Sequence, residues 1–172
     1  MIAQQHAGTE VAGENSHPSA GRAFDFLMGD WIVHHRRLAN RLVGDTNWVD
    51  FDGTMSARQI LGGGGNIDEN IINLPDGSYQ AISLRLFDPA TLCWSIYWVD
   101  GRRTDALDPP VIGSFNNGQG RFLAHDTLDG RPIRVRFTWS DMSPTSGHWE
   151  QAFSPDDGAS WEPNWTMTFT RP

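Results

Sequence analysis

The chain has 172 residues, a net charge of -8 and a pI near 5.0. All 13 basic residues are Arg, which removes Lys-based Schiff-base chemistry and any phosphate loop closed by Gly-Lys-Ser or Gly-Lys-Thr. The acidic balance repels polyanions, so neither a nucleic-acid nor a membrane partner is expected.

A chain of this length buries about 70% of its unfolded surface as one domain and needs no disulfide staples. Its single Cys, Cys93, excludes an intramolecular disulfide and fits a reducing, cytoplasmic setting. Residues 1–22 are polar and rich in Gly, Ala and Ser, and they lack both a basic start and an apolar run, so they read as neither a secretory signal nor a membrane span. They read as a disordered tail, with one domain over 23–172.

From Phe24 the chain turns apolar. Phe24-Asp25-Phe26-Leu27-Met28 forms a short plug, Gly29 permits a sharp bend, and a first strand starts at Trp31. Strand-like segments follow over 31–38, 47–60, 66–74, 79–87, 92–100, 111–115, 120–126, 132–140, 147–154 and 164–171. Turn chemistry separates them, as in Pro75-Asp76-Gly77, Asn116-Asn117-Gly118 and Leu128-Asp129-Gly130. The gaps are too short for crossover helices. The reading is therefore all-β: an antiparallel meander of about ten strands that closes into a barrel and leaves no open edge.

Alternation assigns faces. Ile133, Val135, Phe137 and Trp139 share one side, as do Trp165, Met167 and Phe169, and as do Leu92, Trp94, Ile96 and Trp98. Eight Trp residues, Trp149 among them, supply aromatic surface for either a packed core or a lined cavity.

Gly29-Asp30-Trp31 before the first strand, with Arg171 near the chain's end, resembles the Gly-x-Trp opening of lipocalins and their calycin relatives. There the Trp sits on the barrel floor beneath a late Arg. Phe87-Asp88-Pro89, Trp94-Ser95-Ile96-Tyr97-Trp98, Trp149-Glu150-Gln151-Ala152-Phe153-Ser154 and the closing Trp165-to-Arg171 run extend the resemblance to an uncharacterised bacterial family of lipocalin-like barrels. That resemblance implies a calycin-type barrel with a Trp31–Arg171 clasp. It brings no catalytic assignment.

Other motifs carry less chemistry. Ser154-Pro155-Asp156-Asp157-Gly158-Ala159-Ser160-Trp161 matches the Asp-box pattern of sialidase propellers, but in a single copy, which reads as a hairpin staple. Gly62-Gly63-Gly64-Gly65 lacks a Lys and a following helix, so it reads as a bulge or corner, placed at the barrel's mouth. No His-x-His or His-Glu-x-x-His pairs occur, and neither metal nor cofactor is expected.

The candidate site follows from strand parity. If Trp31 and Val33 face inward, so do His35 and Arg37, and such interior charges need partners, for which Glu150, Asp68 and Arg85 are candidates. The first functional reading is binding of a small amphipathic, acidic or aromatic molecule by Arg37, Arg85, Trp94, Trp98, Trp139, Trp149 and Asp68. A second is a cofactor-independent isomerase, cyclase or hydrolase in which Glu150 or an Asp orients His35 as general acid–base and Arg37 or Arg85 holds developing negative charge. A third is a non-catalytic protein-interaction module.

Overall fold

The computed structural model describes residues 20–105 and 107–172. Most of the expected tail, Met1–Ser19, lies outside them. Its last three residues, Ala20–Arg22, form a 3-10 turn closed by the Ala23 N–H on the Ala20 carbonyl, which also accepts a 2.9 Å bond from Trp94 Nε1.

Ten strands make one closed antiparallel barrel in meander order, consistent with a calycin-like fold. They are β1 Gly29–Leu38, β2 Trp48–Ile60, β3 Gly65–Leu74, β4 Gly77–Asp88, β5 Cys93–Asp100, β6 Val111–Asn116, β7 Gln119–Leu128, β8 Arg131–Ser140, β9 Ser146–Ser154 and β10 Glu162–Thr170. Each strand pairs with its neighbours in sequence, and β1 seals the ring against β10, with Val33 opposite Phe169 and Arg37 opposite Trp165. Closure leaves no edge to aggregate.

The two ends differ. At the closed end a second 3-10 turn, Asp25–Leu27, inserts Phe24 and Leu27 beneath the strands. Phe24 packs on Trp94, Phe115 and Trp139 at centroid separations of 5.1, 4.9 and 5.9 Å. Trp31 donates from Nε1 to the Leu27 carbonyl at 2.7 Å, and the Arg171 guanidinium lies 3.6 Å from the Trp31 ring centroid. That guanidinium also donates to the carbonyls of Asp30, Met28, Phe26 and Pro144, at 2.9 to 3.2 Å. Gly29 turns with φ of +96°, and a Cβ there would stand 3.1 Å from Arg171 Nη1. Glycine fits both demands.

Two local expectations are corrected. Leu92 belongs to no inward row: it is a turn residue at φ +58° and 38% exposed, so β5 begins at Cys93. The Gly62–Gly65 corner lies at the plugged end. The end of β2 reaches that level, where Ala57 pairs with Gly29 and Gln59 Nε2 donates to Asp25 Oδ1 at 3.0 Å.

The Asp-box segment is a turn staple at the other end. Ser160 N–H and Oγ donate to the Asp156 carboxylate at 2.8 and 2.6 Å, and Trp161 Nε1 donates to the Gly158 carbonyl at 3.1 Å. Bonds from Ser160 hold the Asp156 carboxyl down at about 2.

Candidate functional site

Above the plug the barrel holds a cavity of about 530 Å³, open at the end away from Arg171. This is within the range of small-molecule sites, roughly 300–1,000 Å³. Its wall comes from inward positions on nine strands, β2 to β10 with Arg37 of β1 at the rim, because each strand turns alternate side chains inside.

The lower part is aromatic around one buried ion pair. Trp139 stacks near Phe169 at 5.3 Å, and Trp149 meets Phe137 at 4.8 Å and Trp165 at 5.8 Å. Asp68 on β3 and Arg85 on β4 form the ion pair, almost fully removed from solvent. Asp68 also accepts from Asn70 Nδ2 at 2.6 Å and from the Ser83 N–H at 3.2 Å, and Arg85 Nη1 donates to Asn66 Oδ1 at 3.1 Å. A lone buried charge is prohibitive, so these contacts are the condition for having either ion here. The guanidinium lies 5.1 Å from Phe24 and 5.8 Å from Trp139, at the plugged end.

Higher up, an aromatic bar crosses the lumen. Trp98 on β5 and Trp165 on β10 stand on opposite walls, yet their rings meet edge-on at 6.0 Å. Trp165 is fixed by donating from Nε1 to His35 Nδ1 at 3.2 Å, and His35 stacks flat on Phe51 at 4.9 Å. His35 is 1% exposed and sits against Gly53, where a Cβ would come within 3.0 Å of its Nε2. Burial pushes its pKa down to about 4, so the ring is neutral and serves as an acceptor.

The mouth is cationic. Arg37 stands 5.3 Å from the Trp165 ring, and Arg41, from the 39–47 loop, stands 5.7 Å from Phe153. Arg102 covers Tyr79 at 3.7 Å but is paired with Asp100 at 2.6 Å, and Arg103 is paired with Asp108 at 2.8 Å. Arg37 and Arg41 make no ion pair within 4.0 Å among the described residues. Arg41 Nε is buried without an acceptor among the described residues. Burial and the nearby Arg37 charge both lower the Arg41 pKa, the mark of two cations held close together. Burial raises the Tyr79 phenol, with Arg102 and Arg37 opposing it.

Strand parity brings Arg37, Asp68, Arg85, Trp98, Trp139 and Trp149 to the cavity wall. It does not bring three others. Glu150 faces outward to Arg136 at 3.4 Å, because the inward position beside it is taken by Trp149, so the expected His35–Glu150 pair is not formed. His35 stands behind Phe51 and Trp165, outside the cavity lining. Trp94 is used by the plug, packed on Phe24 and bonded to Ala20. Sequence reasoning missed Arg41, Tyr79, Asn70, Ser83 and Gln151 on the wall. Tyr79 and Ser83 share parity with Arg85, and Asn70 with Asp68, so alternation could have found them; Arg41 lies on a loop, where no period applies.

Among the described residues, no group of three or more His, Cys, Asp or Glu converges as a metal site, and no helix is long and apolar enough to cross a membrane. The fold and cavity together define an all-β barrel with an aromatic interior, compatible with ligand binding. No family model matches the chain, and no curated protein matches its sequence.

Proposed function

We propose that the barrel binds a small amphipathic acid, with its apolar body among Trp98, Trp139, Trp149 and Phe169 and its anionic head at Arg37 and Arg41. The observation that carries this reading is charge balance: the other three cations of the cavity wall each have a carboxylate partner, and these two have none among the described residues. Guanidinium keeps its charge at any working pH and forks onto a carboxylate, and a charge-assisted bond in a partly desolvated site contributes about 1.5–3 kcal/mol. The rest of the affinity comes from apolar burial. The acid–base reading has no comparable support, since among the described residues His35 contacts no carboxylate, and burial depresses it to about 4.

The proposal includes a single soluble domain over 23–172, cytoplasmic as the lone Cys93 suggests, and kinship with bacterial lipocalin-like barrels on the strength of the Gly29-Asp30-Trp31 opening. The test is a tryptophan-fluorescence titration with fatty and aromatic acids against their amides, on the parent chain and on Arg37→Gln. Acids should bind about ten-fold or more tightly than amides in the parent and lose that margin in the variant. Equal binding of acid and amide would sink the reading.

A further inference from the structure

The neck of the cavity, between the aromatic chamber and the cationic mouth, carries Gln151 on β9. Alternation points it inward with Trp149 below it and Phe153 above it, and it lines the cavity. Register sets it beside the two free cations: Gln151 lies opposite Trp165, Trp165 lies opposite Arg37, and Arg41 stands 5.7 Å from the Phe153 ring. Two strand spacings of about 4.8 Å separate the Gln151 and Arg37 backbones, and both side chains enter the same stretch of lumen.

The Gln151 amide is oriented from behind. The Glu162 carbonyl can only accept, so Asn164 turns its Nδ2 to it at 3.3 Å, and the Asn164 Oδ1 then accepts from Gln151 Nε2 at 2.7 Å. Gln151 Oε1 is the remaining end. It accepts from no donor among the described residues, and it is not one of the unpaired interior polar atoms sealed from water. Gln151 keeps 9% exposure, which an inward-facing side chain has towards the lumen. When an apolar ligand body displaces water from the neck, this oxygen is left unpaired unless the ligand brings a donor.

The surrounding charge decides what the donor is. An ammonium would stand beside the uncompensated Arg37 and Arg41, and an ether or ketone would set acceptor against acceptor. What remains is a neutral O–H or N–H. We infer that the cavity selects acids carrying a neutral hydrogen-bond donor within a few bonds of the carboxylate, a 2- or 3-hydroxy acid or an N-acylamino acid, with Gln151 Oε1 as its acceptor. This rests on the acid-binding reading above and deepens it.

The experiment compares lauric acid with its 2-hydroxy, 3-hydroxy, 12-hydroxy, 2-methoxy and 3-methoxy derivatives by tryptophan fluorescence, on the parent chain and on Gln151→Met. Methionine has a similar length and lacks the amide oxygen. In the parent chain the better of the 2- and 3-hydroxy acids should bind about five-fold tighter than lauric acid, while its methoxy ether and the 12-hydroxy acid show no such gain. In Gln151→Met the ratio of hydroxy acid to lauric acid should fall to about one, whatever happens to the affinities themselves. If none of these acids binds, the acid-binding reading falls and takes the inference with it. If lauric acid binds but neither near-carboxylate hydroxyl gains, if the methoxy ether gains equally, or if the gain survives in Gln151→Met, the inference alone falls. The parent chain also decides without the variant: Gln151 side-chain amide resonances that move with the hydroxy acid and not with its ether support the inference. Identical shifts for the two overturn it.

Discussion

Replacing Arg171 by Ala removes more than one contact, and the structure allows its cost to be worked out. The guanidinium covers the Trp31 ring at 3.6 Å, and its Nη2 donates to two part-buried carbonyls, Phe26 and Met28, at 3.2 and 2.9 Å. The stacked cation contributes about 0.5–1 kcal/mol at a half-exposed site. The two part-buried carbonyls lose charge-assisted donors at roughly 1 kcal/mol each, and the bonds to Asp30 and Pro144 count for little because water replaces them. The sum is about 2–3 kcal/mol, or a fall in Tm of roughly 5–10 °C for a domain of this size. Urea and thermal unfolding followed by circular dichroism would measure it, with Arg171→Lys as the control. Lysine keeps the charge but cannot fork onto several carbonyls, so it should recover less than half. Parent-like midpoints for Arg171→Ala would show that the plug holds without its clasp and would refute the reasoning.

Three further outcomes are expected. Asp68→Asn strands the Arg85 charge in the interior and should cost about 3–5 kcal/mol in urea unfolding; a loss below about 1 kcal/mol would mean that water reaches Arg85. Arg41→Gln should weaken acid binding about ten-fold while leaving the amides unchanged, read by the same fluorescence titration. His35 is held at about 4 in the folded chain against 6.5 unfolded, so the unfolded state binds the extra proton first and stability falls as pH drops from about 6.5 to 4, by roughly 3 kcal/mol. Measured in a His34→Gln background, because Asp52 raises the His34 pKa and so gives the opposite slope, that loss should vanish on His35→Gln.

The fold was legible because each strand announces itself twice, by alternation and by the turn that ends it. The meander needed only short gaps and the absence of a helical period, and the ten predicted segments fall on the ten strands within a few residues. The inward row of β1 followed from parity alone, as did the placement of Trp139 and Trp165. What failed was of three kinds. Leu92 extended a row by period although its backbone is left-handed, a conformation that a periodic reading does not see. Glu150 as an inward partner contradicts the parity that placed its neighbour Trp149, and strict alternation turns it outward, where it meets Arg136. Trp94 and His35 face inward as alternation requires but are covered by other side chains, Phe24 for one and Phe51 with Trp165 for the other. Such layering depends on contacts between strands distant in sequence.

The Asp68–Arg85 pair also separates a structural from a functional explanation of the barrel's interior. A buried ion pair is rarely the most stable choice, since well-packed apolar residues of similar volume are often neutral or stabilising by about 1–4 kcal/mol. Here it brings Asn66, Asn70 and Ser83 with it, a polar node among aromatic rings at the foot of a cavity. If the node only fills space, Asp68→Leu with Arg85→Met should fold at least as well as the parent and bind every acid as the parent does. If it instead sets the polarity of the cavity wall that a ligand meets, the same double variant should keep its urea midpoint while its affinity for acids changes several-fold in the fluorescence titration. Stability measured beside acid affinity tells these apart, because the structural account leaves the affinity where it was and the functional one moves it.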